Sequence, residues 1–291
     1  MGAFADSSTP DPVVSTLTLP DGGERVVWRW GVGRPLLVIQ GMSGTHDHWG
    51  PQLVEQLLAD GRSIVCVNHR GVYGTARPEP GYAITDLADD QAAALDVLGI
   101  DEPIDVFGIS MGGMTAMELT LRHPEKVRTL GLGCTTAGGA FMTQPNPADI
   151  QRLFEAQQSG DKDLAFRAGF EVNFSEKWWT DEALVQEFLR LSLLAPVPLS
   201  VVMSQLQAIG QHDVGARLGE ISVPTAVMHG TVDRMLPFPN ATPIHEGIAG
   251  ATLDVFEDAG HLYFWEEPLR VAAILEQLST RSSERSPSTT A

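Results

Sequence analysis

From residue 14 onward, short apolar runs alternate with longer stretches in which apolar residues recur at helical spacing. That alternation predicts an α/β architecture around a mainly parallel sheet, because parallel strands need helical crossovers that cover both faces. Residues 14–19 and 25–30 instead alternate apolar and polar side chains on either side of Asp21-Gly22-Gly23, which predicts an antiparallel hairpin at a sheet edge. The runs 36–40, 63–68, 104–108, 127–132, 225–229 and 252–256 are short, apolar and bounded by Gly, Pro or polar residues. This is the pattern of strands buried on both faces.

Leu87, Ala94, Leu95 and Leu98 recur at helical spacing after Thr85-Asp86, a helix-start signal, and Gly99 follows as a stop. A second helix is expected over 111–122, ending before Pro124, and a last one over 267–278, packing Val271, Ile274 and Leu278. Residues 140–215 break the alternation. They hold Phe154, Phe166, Phe170, Phe174, Trp178, Trp179, Leu189, Leu191, Leu193 and Leu194 on helix-like segments with no clear strand. The reading is a core of 14–139 and 216–279, a helical cap over 140–215, and flexible termini over 1–13 and 280–291; the C-terminal one is rich in Ser, Thr, Arg and Pro.

The totals narrow this picture. A chain of 291 residues, 43% hydrophobic, buries roughly three quarters of its unfolded surface, enough for one large core. With 37 acidic against 19 basic side chains the net charge is -18, so a polyphosphate partner is repelled and no nucleic-acid role is expected. Cys66 and Cys134 sit in apolar strands and read as small hydrophobes, with neither a disulfide nor a metal site expected. Residues 1–12 lack a basic start and an apolar run of signal-peptide length, and nowhere are about 18 apolar residues uninterrupted. The expectation is a soluble cytoplasmic protein that acts on a small molecule, without a membrane or a cofactor; oligomeric state is not legible.

The chemistry begins at Gly108-Ile109-Ser110-Met111-Gly112-Gly113, between the apolar run Ile104-Asp105-Val106-Phe107 and a helix. This is Gly-x-Ser-x-Gly in its strand-to-helix context, a sharp turn that lifts the hydroxyl clear of the sheet. A nucleophilic Ser needs a base, and the base needs a carboxylate that orients it and stabilises the imidazolium. Asp233 follows the apolar run 225–229 on a turn, and His261 follows the next strand on an Asp-Ala-Gly loop. Both therefore lie at the C-terminal edge of the sheet with Ser110. Taken singly, Asp233 is also compatible with a capping role and His261 with an ordinary loop histidine. Thr45-His46-Asp47-His48-Trp49 has metal-ligand residue types, but it reads better as a helix cap at Thr45 or Asp47 with His46 at the pocket mouth.

With these motifs the sequence resembles the α/β-hydrolase superfamily over roughly residues 14–279. Gln40-Gly41-Met42-Ser43-Gly44 with Trp49 stands at the family's His-Gly-x-x-Gly loop, and Arg70-Gly71-x-x-Gly74 follows the next strand. Cys134-Thr135-Thr136-Ala137-Gly138-Gly139 and Ala259-Gly260-His261-Leu262 resemble the branch of enol-lactone hydrolases, polyketide methyl esterases and cofactor-free haloperoxidases. The resemblance implies a mostly parallel eight-stranded sheet flanked by helices, with the cap inserted after the sixth strand. It also implies an oxyanion hole from the backbone N–H groups of Met42 and Met111. Gln40 in place of His, and Asn68 where Asp often precedes the Arg-Gly turn, depart from the pattern. The function so implied is a serine hydrolase that cleaves an ester, thioester or lactone of a medium-sized, partly hydrophobic compound. A natural-product tailoring enzyme catalysing elimination, cyclisation or C–C cleavage is the alternative, and a non-catalytic receptor a more distant one.

Overall fold

Alternating side chains on either side of Asp21-Gly22-Gly23 close a hairpin of β1 (Val13–Thr18) and β2 (Glu24–Trp30), paired antiparallel from Val13 opposite Arg29 to Thr18 opposite Glu24. The computed structural model describes residues 9–75, 81–194 and 196–285. The apolar runs become β3 (Arg34–Ile39), β4 (Arg62–Val67), β5 (Ile104–Ile109), β6 (Val127–Gly133), β7 (Thr225–Gly230) and β8 (Thr252–Phe256). Together they form one eight-stranded sheet in the order β1-β2-β4-β3-β5-β6-β7-β8. β2 pairs antiparallel with both neighbours, and every other pairing is parallel. The hairpin lies at the sheet edge, with β1 the exposed outer strand and β2 mostly buried between β1 and β4.

The helices are α1 (Pro51–Ala59), α2 (Ile84–Val97), α3 (Met111–Arg122), α4 (Pro147–Gln158), α5 (Lys162–Asn173), α6 (Glu182–Leu194), α7 (Leu199–Gln211), α8 (Ala241–Gly247), α9 (Tyr263–Glu266) and α10 (Pro268–Arg285). Successive strand residues point to opposite faces, so the sheet divides the core in two. Leu36, Val38, Phe107 and Ile109 pack with Leu53, Leu57, Val271 and Leu275 of α1 and α10. Leu37, Ile39, Val106 and Leu132 pack with Ala92, Leu95, Met117 and Ile244 of α2, α3 and α8.

Two helix ends differ from the sequence expectation. α2 begins at Ile84 rather than at Thr85-Asp86, because Asp86 acts from inside the first turn and accepts the Ala83 N–H at 2.7 Å; Gly99, at φ 68°, provides the stop. The last helix does not end at 278, and residues 280–285 are helical rather than part of a flexible tail. The physical reason is Ser279, which is fully buried and whose Oγ accepts from Arg34 and Arg128 at 2.8 Å each. Residues 1–8 and 286–291 of the expected flexible termini lie outside the described residues.

α4 to α7 follow β6 and cover the C-terminal edge of the parallel strands. Phe170, Phe174, Leu184, Val185 and Leu191 of this segment join the α1/α10 side of the core through Phe264 and Trp265. Phe170 and Phe174 stack with ring centroids 4.5 Å apart, and full burial of each is worth about 2–3 kcal/mol. Among the described residues no single helix is long and apolar enough to cross a membrane.

Candidate active site

Ser110 occupies the turn between β5 and α3 at φ 52°, ψ -124°, a conformation that L residues other than Gly seldom adopt. Its neighbours explain how the chain holds it. A Cβ on Gly108 would lie 2.2 Å from the Gly112 carbonyl oxygen, and one on Gly112 would lie 2.0 Å from that of Ile39. Only glycine lets strand and helix pass so closely. The Ser110 N–H donates to Gly133 O at 2.9 Å, and its carbonyl accepts the Thr135 hydroxyl at 2.7 Å. The side chain is thereby presented to a cavity of about 210 Å³ lined by Gln40–Gly44, His48, Ile109, Asn173, Phe188, Met235, His261 and Leu262.

Asp233 and His261 meet as the strand ends suggest. His261 Nδ1 lies 2.7 Å from Asp233 Oδ2. The other carboxylate oxygen accepts the Met235 and Leu236 N–H groups at 2.8 and 2.9 Å. His229 Nε2 donates to Leu236 O at 2.7 Å and lies 3.3 Å from Asp233 Oδ2. Burial alone would raise the Asp233 carboxyl, but His261 and the hydrogen bonds from His229 and His261 outweigh it and hold the group well below the usual carboxylate range. An ionised Asp233 accepts a hydrogen bond from His261 Nδ1–H, which leaves the Nε2 lone pair of His261 available on the cavity that Ser110 shares.

The loop after β3 carries Met42, whose N–H donates to no acceptor among the described residues. Met111 is the first residue of α3, so its N–H has no intrahelical acceptor. These are two unspent donors beside Ser110. Ser43, at φ 61°, shapes the loop, and its N–H donates to Gln205 Oε1 of α7 at 3.0 Å. Gln40 turns back on the same loop and accepts the Gly41 N–H at 3.2 Å, while its own carbonyl receives His69 Nε2 at 2.8 Å. Asn68 Nδ2 reaches Tyr73 O at 3.4 Å. Arg70 is structural: with Arg25 it clamps the buried Asp90 by paired hydrogen bonds.

Residues 45–49 fold as a cap, with one correction. Thr45 precedes a short turn of His46–Trp49, and His48 Nδ1 receives the Thr45 N–H at 3.1 Å. His46 does not line the Ser110 cavity; it is buried and stacked on Trp28, centroids 3.4 Å apart and ring planes nearly parallel. The tight turn sends residue 46 inward, and residue 48 lines the cavity instead. No group of three ligand atoms forms in this stretch among the described residues. One does form from Cys134, His229 and Asp233, but both Asp233 oxygens already accept N–H donors. Burial pushes the Cys134 thiol further up, away from the thiolate a metal needs.

Sequence reasoning did not single out His48, Asn173, Phe188, Met235 or Leu262 as cavity residues. Met235 and Leu262 stand beside Asp233 and His261 and were within reach by adjacency. Phe188 shares the apolar face of α6 with Leu184 and Leu191, a signal for core packing that does not distinguish a cavity wall.

The comparisons agree with the fold. Residues 34–268 match the family model described as alpha/beta hydrolase fold. The AB hydrolase superfamily protein YisY of Bacillus subtilis is 31% identical over 258 residues, covering 86% of this chain and 92% of that protein. A 2-hydroxymuconate semialdehyde hydrolase of a Pseudomonas strain is 28% identical over 264 residues, covering 84% and 86%. Among solved structures, an esterase of Exiguobacterium antarcticum superposes with a TM-score of 0.77 at 25% identity, covering 93% of this chain and 100% of the other.

Proposed function

The chain belongs to the α/β-hydrolase fold family, and on that premise we propose that it is a serine hydrolase of an ester, thioester or lactone, working through Ser110, His261 and Asp233. The observation that carries this reading is the 2.7 Å contact between His261 and Asp233 at a cavity that also holds the strained Ser110. His261 Nε2 takes the Ser110 proton as Oγ attacks the carbonyl carbon, and returns it to the leaving group as the acyl-enzyme forms. Water then attacks, giving up its proton to His261, and the acid is released as Ser110 is reprotonated. The Met42 and Met111 N–H groups face the developing oxyanion; loss of one such donor typically costs about 3 kcal/mol of transition-state stabilisation. Asp233 holds the tautomer and stabilises the imidazolium.

A small serine-directed fluorophosphonate tests the assignment directly. One adduct by intact mass on the native chain, and none on Ser110→Ala or His261→Ala, is the expected result, with turnover of Ser110→Ala reduced by about 10⁶. Full ester cleavage by Ser110→Ala would remove Ser110 from the mechanism. Hydrolysis of a semialdehyde at the same site is a second reading, favoured by the likeness to a 2-hydroxymuconate semialdehyde hydrolase over most of the chain. Labelling of Ser110 without cleavage of any ester, thioester or lactone would bring it forward.

A further inference from the structure

One polar group on the cavity wall has no part in the acyl transfer proposed above. His48 lines the cavity with Ser110 and His261, and the main chain fixes its protonation. Its Nδ1 lies 3.1 Å from the Thr45 backbone nitrogen and 2.9 Å from Thr45 Oγ1. A backbone N–H can only donate, so Nδ1 must offer its lone pair, and the neutral ring carries its proton on Nε2. The residue is also held in place: Trp265 Nε1 donates to His48 O at 2.8 Å, and Phe188 meets the ring edge-on at 6.0 Å. Burial pushes the ring down to about 4, so it is uncharged at neutral pH. Nε2–H has no acceptor among the described residues.

The rest of the lining sets what such a donor can meet. Met42, Ile109, Phe188, Met235 and Leu262 supply apolar surface, and among the described residues no Lys or Arg lines the cavity. A carboxylate bound there would lose its water without gaining a counter-charge, inside a chain of net charge -18. An uncharged oxygen would gain a fixed donor without that penalty, and a methylene in its place would leave the donor unpaired.

We propose that His48 is a specificity-determining residue whose Nε2–H binds a second, uncharged acceptor oxygen of the substrate, an ether, hydroxyl or carbonyl beyond the scissile group. The enzyme then prefers oxygenated neutral acyl compounds over their hydrocarbon isosteres and over carboxylate-bearing analogues. The kinetic consequence rests on the serine-hydrolase reading, whereas the fixed tautomer does not.

Two measurements keep these apart. Long-range ¹H–¹⁵N spectra of the native protein at about pH 6 to 8, with His48 assigned by its absence in His48→Phe, should show Nδ1 unprotonated and Nε2 protonated; a proton on Nδ1 in that range overturns the proposal. Isosteric pairs then differ by one oxygen: para-nitrophenyl methoxyacetate against butyrate on the acyl side, and methoxyethyl against butyl acetate on the alcohol side. In at least one pair, His48→Phe should lower the ratio of kcat/KM for the oxygenated to the hydrocarbon member by about tenfold. His48→Gln, which restores a donor, should recover it. The intrinsic reactivity of the methoxyacetate cancels in that comparison of ratios. Ratios unchanged in both pairs would assign His48 a structural role and overturn the proposal. If native protein neither turns over nor takes the fluorophosphonate, the hydrolase reading fails. The His48 site is then decided by the Nε2–H resonance, which should move on adding methoxyethyl acetate and not butyl acetate; no difference between the two overturns it.

Discussion

The C-terminal edge of the sheet, which carries Ser110, Asp233 and His261, and the α4–α7 segment above it, the cap, form one cavity by different means. At the edge, main-chain geometry positions the side chains: Ser110 through glycine contacts that exclude a Cβ, and Asp233 through the Met235 and Leu236 N–H groups. The cap reaches the same cavity mainly through side-chain ties. Gln205 Oε1 holds Ser43 beside Met42, while buried Glu266 accepts from Gly260 N–H and from the backbone and hydroxyl of Ser175. At the cavity the Leu262 N–H to Asn173 O bond, 3.0 Å, joins the two regions by main chain, and the Val214 N–H to Ala137 O and Gly139 N–H to His212 O bonds, 2.9 and 3.1 Å, do so where the cap returns to the core. Backbone geometry leaves a position few alternatives, whereas a side-chain tie can be lost with the rest of the fold intact.

Asp233→Asn is the sharpest test of the edge. If the carboxylate fixes the tautomer and charge of His261, kcat should fall by about 10⁴ with the melting temperature changed far less than the rate. A loss under tenfold in a steady-state assay would show that His261 is oriented without it.

Paired glycine substitutions should split the two regions in sign. Gly112→Ala drives a Cβ against the Ile39 and Gln40 carbonyls and should cost about 3 kcal/mol or more, read by urea unfolding. Gly169→Ala, in cap helix α5, meets nothing within 4 Å and should be neutral or stabilising by up to about 1 kcal/mol. Equal destabilisation by both would erase the contrast.

Acid, by contrast, should weaken edge and cap together. Burial, aided by the neighbouring His48, pushes His46 down to about 3, and burial alone pushes His48 and His212 down to about 4. The unfolded chain takes up these protons near pH 6.5 and the folded chain resists. Stability is therefore full above that pH and falls on acidification towards 4, by up to about 1.4 kcal/mol per pH unit for each ring. Thermal unfolding at pH 7.5 and 5 at fixed ionic strength should show this slope, and His212→Gln should flatten it.

The smallest expected effect belongs to the cap tie. Gln205→Ala frees the Ser43 N–H and should lower kcat by about tenfold with KM nearly unchanged, as a misplaced oxyanion donor would. A rise in KM alone would make Gln205 a part of the binding wall instead.

The sequence by itself determined the strands, the α3 elbow and the order of Ser110, Asp233 and His261 along the chain. Buried parallel strands must be continuously apolar, and a strand-to-helix turn this tight must carry glycine at 108 and 112. The sequence also marked where strands give way to α4–α7, because residues 140–215 abandon the strand pattern. Tertiary structure alone decided that His48 rather than His46 lines the cavity, that Phe188 and Asn173 join it, and that Ser279 keeps the last helix going. Each of these depends on a partner distant in sequence, such as Trp28 under His46 or Arg34 and Arg128 on Ser279. Periodicity records which residues are buried, but packing chooses what they are buried against.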